Sequence, residues 1–335
     1  MLGGYKKIKI FMSFFFSMLS VTYACNSGGI KTKKEDEKTN IQDISVNIVR
    51  KSPNFNGDSA YRFVDKQVAF GPRIPGTKSH AECAEYLENK LKRFGAKVLI
   101  QKSSVITHDN RKYELKNIIA SFNIGKSDRV LVTAHWDARP ISDQDEIKAS
   151  FDAANDGGSG VAVILEMARQ IQQQKPTIGV DFILWDLEDY GKSDDLTPNE
   201  STWCLGSQYW FKNPHIKNYK ARFAVNLDMV GGVGAQFTQD QVSVQYAPKI
   251  VDKIWNIANE LGYSDYFPNK QSGSIIDDHF WINQYGIPCV DIIDFSNEKG
   301  FYPYWHTQKD DMNGIDKNVL RAVGQVILET VYRER

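Results

Sequence analysis

Residues 129–137 read Arg-Val-Leu-Val-Thr-Ala-His-Trp-Asp. The opening apolar run, Val130-Leu131-Val132, lacks the alternation of a half-exposed strand. Such a run suits a strand covered by helices on both faces. It then delivers His135 and Asp137 at its carboxyl end. The pattern recurs along the chain. Phe182-Ile183-Leu184-Trp185 leads to Glu188-Asp189, Phe223-Ala224-Val225 leads to Asp228, and a strand opening at Pro288 runs into Asp291 and Asp294. In open α/β sheets, ligands sit at the carboxyl ends of the strands. Four strands therefore bring acids or a histidine to one chemically active edge.

Working outward, the pattern predicts strands over Lys97 to Val105, Leu115 to Ile124, Arg129 to Ala134, Val180 to Leu187, Ala221 to Asp228 and Pro288 to Phe295. The first two, joined by a hairpin-like link, suit an antiparallel edge. Helical periodicity predicts helices over His80 to Phe94, Ser159 to Gln174 and Asp316 to Tyr332. Gly95 is the expected stop of the first, and Asp316 the expected N-cap of the last. The fold class that follows is α/β, a three-layer α/β/α sandwich with a mixed, mostly parallel central sheet. It is expected to occupy residues 46–335.

The N-terminus differs from the rest. Lys6, Lys7 and Lys9 precede the apolar stretch Ile10 to Val21, followed by Thr22-Tyr23-Ala24-Cys25. This reads as a secretory signal over residues 1–24. Cys25 after Ala24 also resembles a bacterial lipobox, with Thr22 where Leu is usual. The expectation is export and lipid attachment at Cys25, holding the protein to a membrane on the periplasmic side. Residues 25–45, rich in Lys, Glu, Asp, Gly and Ser, then form a flexible tether. The chain of 335 residues carries 41 Lys and Arg against 41 Asp and Glu. That neutrality gives no general attraction to nucleic acid, and no such partner is expected. Cys83, Cys204 and Cys289 lack CxxC spacing and read as small buried residues, although two could pair in an oxidising compartment.

Taken singly, the polar residues are unremarkable. An Asp in a Gly-rich turn such as Asn155-Asp156-Gly157-Gly158 is usually a helix cap, an Asp after a strand is usually a turn former, and a lone His is usually structural. Gathered at strand ends, His135, Asp156, Asp189, Asp228 and His306 instead form a candidate zinc set. Asp137 is a candidate to orient His135 or a neighbouring loop.

In order, the motifs are Phe70-Gly71-Pro72-Arg73-Ile74-Pro75, His135-x-Asp137, Asn155-Asp156-Gly-Gly-Ser-Gly160, Glu188-Asp189, Leu227-Asp228-Met229, Asp277-Asp278-His279 and Trp305-His306-Thr307. From about Ser59 to the C-terminus they resemble the zinc aminopeptidase-type α/β/α superfamily. Its two-zinc peptidases place ligands at positions matching His135, Asp156, Asp189, Asp228 and His306, with a general base matching Glu188. The doubled acid at Asp277, the Trp305-His306 pair and FGPRIP resemble more closely the glutaminyl cyclases, which turn an N-terminal glutamine into pyroglutamate. That resemblance implies one zinc per chain, held by Asp156, Asp189 and His306. It implies catalytic roles for Glu188, Asp228 and Asp277, and peptides or proteins with N-terminal glutamine as partners. Trp203 and Trp305 are candidate pocket walls. Asp291, standing where animal cyclases carry His, is a candidate substrate contact. Asp189 departs from the usual Glu, and the segment Tyr190 to Thr202 departs from the animal pattern. Two other readings stay open at this level, a dizinc aminopeptidase and an inactive lipid-tethered binding protein. A serine hydrolase is not supported, because Gly157-Gly158-Ser159-Gly160 lacks the spacing of a nucleophile elbow.

Overall fold

The computed structural model describes residues 51–193 and 202–335. The expected leader and tether, and most of the Tyr190 to Thr202 segment, lie outside these residues. The sheet is built from β1 (Lys97–Ile106), β2 (Lys112–Phe122), β3 (Arg129–His135), β4 (Gly179–Trp185), β5 (Ala224–Asp228) and β6 (Cys289–Ile293). Their spatial order is β1-β2-β4-β3-β5-β6. β1 and β2 pair antiparallel at one edge, β2 joins β4 antiparallel, and β4, β3, β5 and β6 are mutually parallel. A short hairpin, β7 (Phe295–Ser296) with β8 (Gly300–Phe301), follows. The helices are α1 (Gly57–Val68), α2 (Lys78–Arg93), α3 (Gly158–Gln173), α4 (Leu205–Lys212), α5 (Gln241–Tyr246), α6 (Pro248–Glu260), α7 (Asp278–Tyr285) and α8 (Lys317–Tyr332).

The apolar runs are explained by the two-residue period of strands. Val130, Val132 and Ala134 pack into the larger core cluster with residues of α1, α3 and α8. Leu131, between them, packs into the smaller cluster with Trp210 of α4 and Ile282 of α7. Both faces of β3 and β4 are dry, so both parities must be apolar. At the amino end of these strands, the guanidinium of buried Arg129 makes paired bonds to Asp181, at 2.5 and 2.7 Å, and Tyr219 donates to the same carboxylate.

Local signals place the helix ends. Thr77 accepts from the His80 amide and caps α2; Asp316 accepts from the Asn318 amide and caps α8. Gly95 lies just past α2 with φ of +88°, the left-handed stop that glycine adopts without steric cost. β2 begins three residues earlier than the predicted strand, and β5 begins three later. β6 ends at Ile293, after which the chain turns into the β7–β8 hairpin. Among the described residues, Cys83, Cys204 and Cys289 are buried and free of disulfides.

One contact sets how closely α3 approaches the sheet. A β-carbon on Gly160 would stand 2.3 Å from the Leu227 carbonyl oxygen and 2.8 Å from Ala134 Cβ. The helix therefore rests directly on the ends of β3 and β5, which bear His135 and Asp228. Gly160→Ala is expected to push α3 outward and cost about 1–3 kcal/mol of stability. Urea unfolding of the two proteins checks this; an unchanged midpoint would show that the helix and sheet can separate freely there.

Candidate metal and acid–base site

The carboxyl ends of the strands, together with the loops before α3 and after β8, meet at one point. Asp156 comes from the turn leading into α3, Asp189 from the turn after β4, and His306 from the segment after β8. Their ligand atoms lie within 4.8 Å of one another, and all three residues are buried. His306 Nε2 stands 3.1 Å from Asp189 Oδ1 and 3.6 Å from Asp156 Oδ2. Asp156 Oδ2 and both Asp189 oxygens are buried with no hydrogen-bond partner. Buried carboxylate oxygens are costly when left so, unless a cation completes them. One imidazole nitrogen and two carboxylates suit zinc, whose catalytic sites take three protein ligands. The residues present fit that metal.

His135 and Asp228 stand beside this group in a different state. His135 Nε2 lies 3.0 Å from Asp156 Oδ1 and 3.2 Å from Asp228 Oδ1, where it forms a hydrogen bond with Asp228. Burial works against a charged His135, but the neighbouring carboxylates of Asp137, Asp156 and Asp228 outweigh it and raise its pKa well above the ordinary value. Asp137 also takes the main chain of the opposite turn. Its two oxygens accept the amides of Glu188 and Asp189, at 3.1 and 3.2 Å. It thus orients the turn carrying both the candidate base and a candidate ligand.

The acid–base half lies next to it. Glu188 has a side chain 14% exposed, so it reaches the open site. Its pKa is raised well above the usual carboxylate range by burial, against the charge of His135 and with the charges of Asp277 and Asp189. Asp277, the N-cap of α7, accepts from Asn226 Nδ2 at 2.8 Å. Burial and the neighbouring Asp228 push it up to about 6. The thiol of Cys204 bridges the pair, 3.2 Å from Glu188 Oε1 and 3.9 Å from Asp277 Oδ1. Ser207 of α4 bonds to Asp278 at 2.5 Å, so the first turn of α4 holds both acidic arms.

Two indoles stack near the imidazole of His306. Trp203 stacks on it with centroids 6.0 Å apart, and Trp305 with centroids 3.8 Å apart. Asp291 is placed differently from the pocket contact suggested by the sequence. It sits in the middle of β6, in register with Asn226, and is fully buried. Its oxygens meet Asn226 at 3.2 Å and His279 at 3.4 Å. Strand alternation turns it toward α7, behind Asp277, and burial raises its pKa well above normal. Its contacts therefore support Asp277 from behind.

Three residues that the motifs did not single out complete the site. Asp310 accepts the amides of Asn155 and Asp156, at 2.8 and 3.0 Å; burial, with the charge of Asp156, raises it to about 8. Arg139 and Asp143 lie on the loop after β3, and Asp143 Oδ1 is 3.0 Å from His306 Nδ1. No spacing rule links Asp310 to Asp156 or Asp143 to His306, which are far apart in sequence.

The model of peptidase family M28 matches residues 117–331. The crystal structure of a glutaminyl cyclase from Tannerella forsythia is similar, with 49% identity over 84% of this chain and 100% of that one and a TM-score of 0.81. A zinc-dependent exopeptidase from Parabacteroides distasonis matches at 48% identity over 84% of this chain and 100% of its own, with a TM-score of 0.82. An aminopeptidase of Bacillus subtilis is 29% identical over 217 residues; the match covers 63% of this chain and 42% of that protein's length.

The grip of Asp310 on the Asn155–Asp156 turn generates a test. Asp310→Ala leaves two buried amides without their acceptor and frees Asp156 to shift. Zinc affinity is expected to fall about 10- to 100-fold, the usual effect of removing a group that holds a ligand. Competition with a chelator of known affinity measures it; an unchanged titration would show that Asp156 is held without Asp310.

Proposed function

The chain belongs to peptidase family M28, and on that premise we propose that it closes the N-terminal glutamine of peptides and proteins into pyroglutamate, releasing ammonia. One observation carries this reading over a two-metal peptidase. Of the five candidate ligand positions, Asp228 is bonded to His135, whereas the unpartnered oxygens belong to Asp156 and Asp189, beside His306. That supports one zinc per chain, held by Asp156, Asp189 and His306. The similarity to a glutaminyl cyclase over the whole of its length supports the same reaction.

A zinc ion bound there would draw electron density from the γ-carbonyl of the substrate glutamine. Everything else falls to side chains. The α-amine must reach its own side-chain carbonyl carbon, so the glutamine has to be held folded. The indoles of Trp203 and Trp305, both stacked near His306, confine it. Glu188, partly open to the site, accepts the proton lost by the α-amine as the new C–N bond forms. It returns that proton to the departing nitrogen as the old C–N bond breaks, and ammonia leaves. Asp277, steadied by Asn226 and backed by Asp291, orients the amine and the leaving group. Asp228 keeps His135 in place and borders the same space.

The dizinc aminopeptidase reading rests on a second group, His135, Asp156 and Asp228, whose ligand atoms also lie within 4.8 Å. Metal analysis together with two assays separates the readings. The expected result is one zinc per chain, ammonia release from a Gln-peptide and no hydrolysis of leucyl-amide. Glu188→Gln should keep its zinc and lose turnover by roughly 100- to 10,000-fold. Two zincs with leucyl-amide hydrolysis and no ammonia would overturn the cyclase.

Lipid attachment at Cys25 is part of the same proposal, supported by the sequence around Ala24-Cys25. Mass spectrometry of the mature protein is expected to find a lipidated Cys25 at the N-terminus; an unmodified Cys25 or Asn26 there would rule it out.

A further inference from the structure

Arg139 and Asp143 belong neither to the ligand set nor to the acid–base pair, yet their bonds converge on both arms of the metal site. Both side chains are 5% exposed. Asp143 Oδ1 lies 3.0 Å from His306 Nδ1. Its other oxygen takes Arg139 Nε at 3.0 Å, Arg139 Nη2 at 2.6 Å and the Ser193 hydroxyl at 2.6 Å. The remaining arm of the guanidinium, Nη1, donates to the carbonyls of Asp189 and Gly191, at 3.1 and 3.2 Å. The Trp203 ring lies over the same guanidinium at 4.6 Å.

We infer that the Arg139–Asp143 pair is the positioning unit of the site, and that it fixes the tautomer of His306. The inference rests on the single-metal reading above. A carboxylate can only accept, so Asp143 requires the proton of a neutral His306 to sit on Nδ1. The lone pair is then on Nε2, the nitrogen that faces Asp156 and Asp189. Through its other arm the same guanidinium holds the main chain of Asp189. Two proposed ligands from separate loops are thus locked to one ion pair, His306 through Asp143 and Asp189 through Arg139, and their spacing is fixed before a metal arrives.

The geometry separates this role from a merely structural one. In Asp143→Asn the shape is kept, but Arg139 and Ser193 both donate, so they attract the amide oxygen. The amide NH2 then faces His306 Nδ1 and donates to it. That forces the proton onto Nε2 and blocks the metal position, the reverse of what binding needs. Asp143→Ala imposes neither tautomer. The conservative variant should therefore be the worse one.

The test is zinc affinity, measured by chelator competition on metal-free wild type and both variants, with turnover not required. The expected order is a loss of about tenfold for Asp143→Ala and about a hundredfold or more for Asp143→Asn. Asparagine binding zinc as tightly as wild type, or more tightly than alanine, would overturn the assignment. If a variant does not fold, 15N NMR of the zinc-loaded wild type decides: a proton on His306 Nδ1 supports the inference, and metal on Nδ1 refutes it. A wild type that takes up no zinc refutes the metal reading itself, a result distinct from equal affinities across the three proteins.

Discussion

Burying many carboxylates together is the constraint on which the rest of this site depends. Asp156, Glu188, Asp189, Asp228 and Asp277 face one another across a few ångströms, with Asp278 and Asp291 behind them. Isolated charges in such a place are costly, and each acid must be neutralised, hydrogen-bonded or matched with a cation. The fold uses all three remedies. Glu188, Asp277, Asp278 and Asp291 are pushed toward their protonated forms. Asp137 and Asp310 accept main-chain amides. Asp228 is paired with His135. Unpartnered oxygens remain on Asp156 and Asp189, and on Asp278 and Asp291 behind them; those of Asp156 and Asp189, beside His306, are the ones that a metal would complete.

The supporting architecture serves that arrangement at two depths. Parallel strands covered on both faces carry the acids to a common edge. Gly160 lets α3 rest against the Leu227 carbonyl, which sets the height of Asp156 relative to Asp228. The first turn of α4 fastens the opposite side through Cys204 and Ser207. Stability and chemistry thus share the same contacts: the helix that closes the core also aims the turn carrying Asp156.

Much of this was legible in the sequence, and the parts that were not share a cause. The apolar runs at Val130 and Phe182 identified doubly covered strands, and the antiparallel edge followed from the link between the first two. α2, α3 and α8 were legible because each is long and amphipathic and, in α2 and α8, clearly capped. α4, α5 and α7 are only six to eight residues long, too short for periodicity to register; α1 and α6 are longer and were simply not singled out. In the site, Asp156, Asp189 and His306 were recognised as members of an ordered set of motifs. Their mutual distances belong to tertiary structure. Asp143, Arg139 and Asp310 reach their partners across long stretches of chain, so no local pattern marks them. Asp291 was read as a substrate contact because it stands where animal cyclases carry His; its position within β6 buries it instead.

The backbone around the site has one further property. Ala153, Leu187, Cys204, Met229 and His306 all have φ between +48° and +57°, a region where residues with a β-carbon are strained. Leu187 precedes Glu188, Met229 follows Asp228, and His306 is itself a proposed ligand. Glycine would relax each turn, yet a side chain occupies every one. Selection for heat tolerance acting on this protein would thus meet a local conflict: relaxing these turns favours durability, while the same relaxation gives the reacting groups room to wander. Its thermal ceiling and its catalytic aim are set, in part, by the same few dihedral angles.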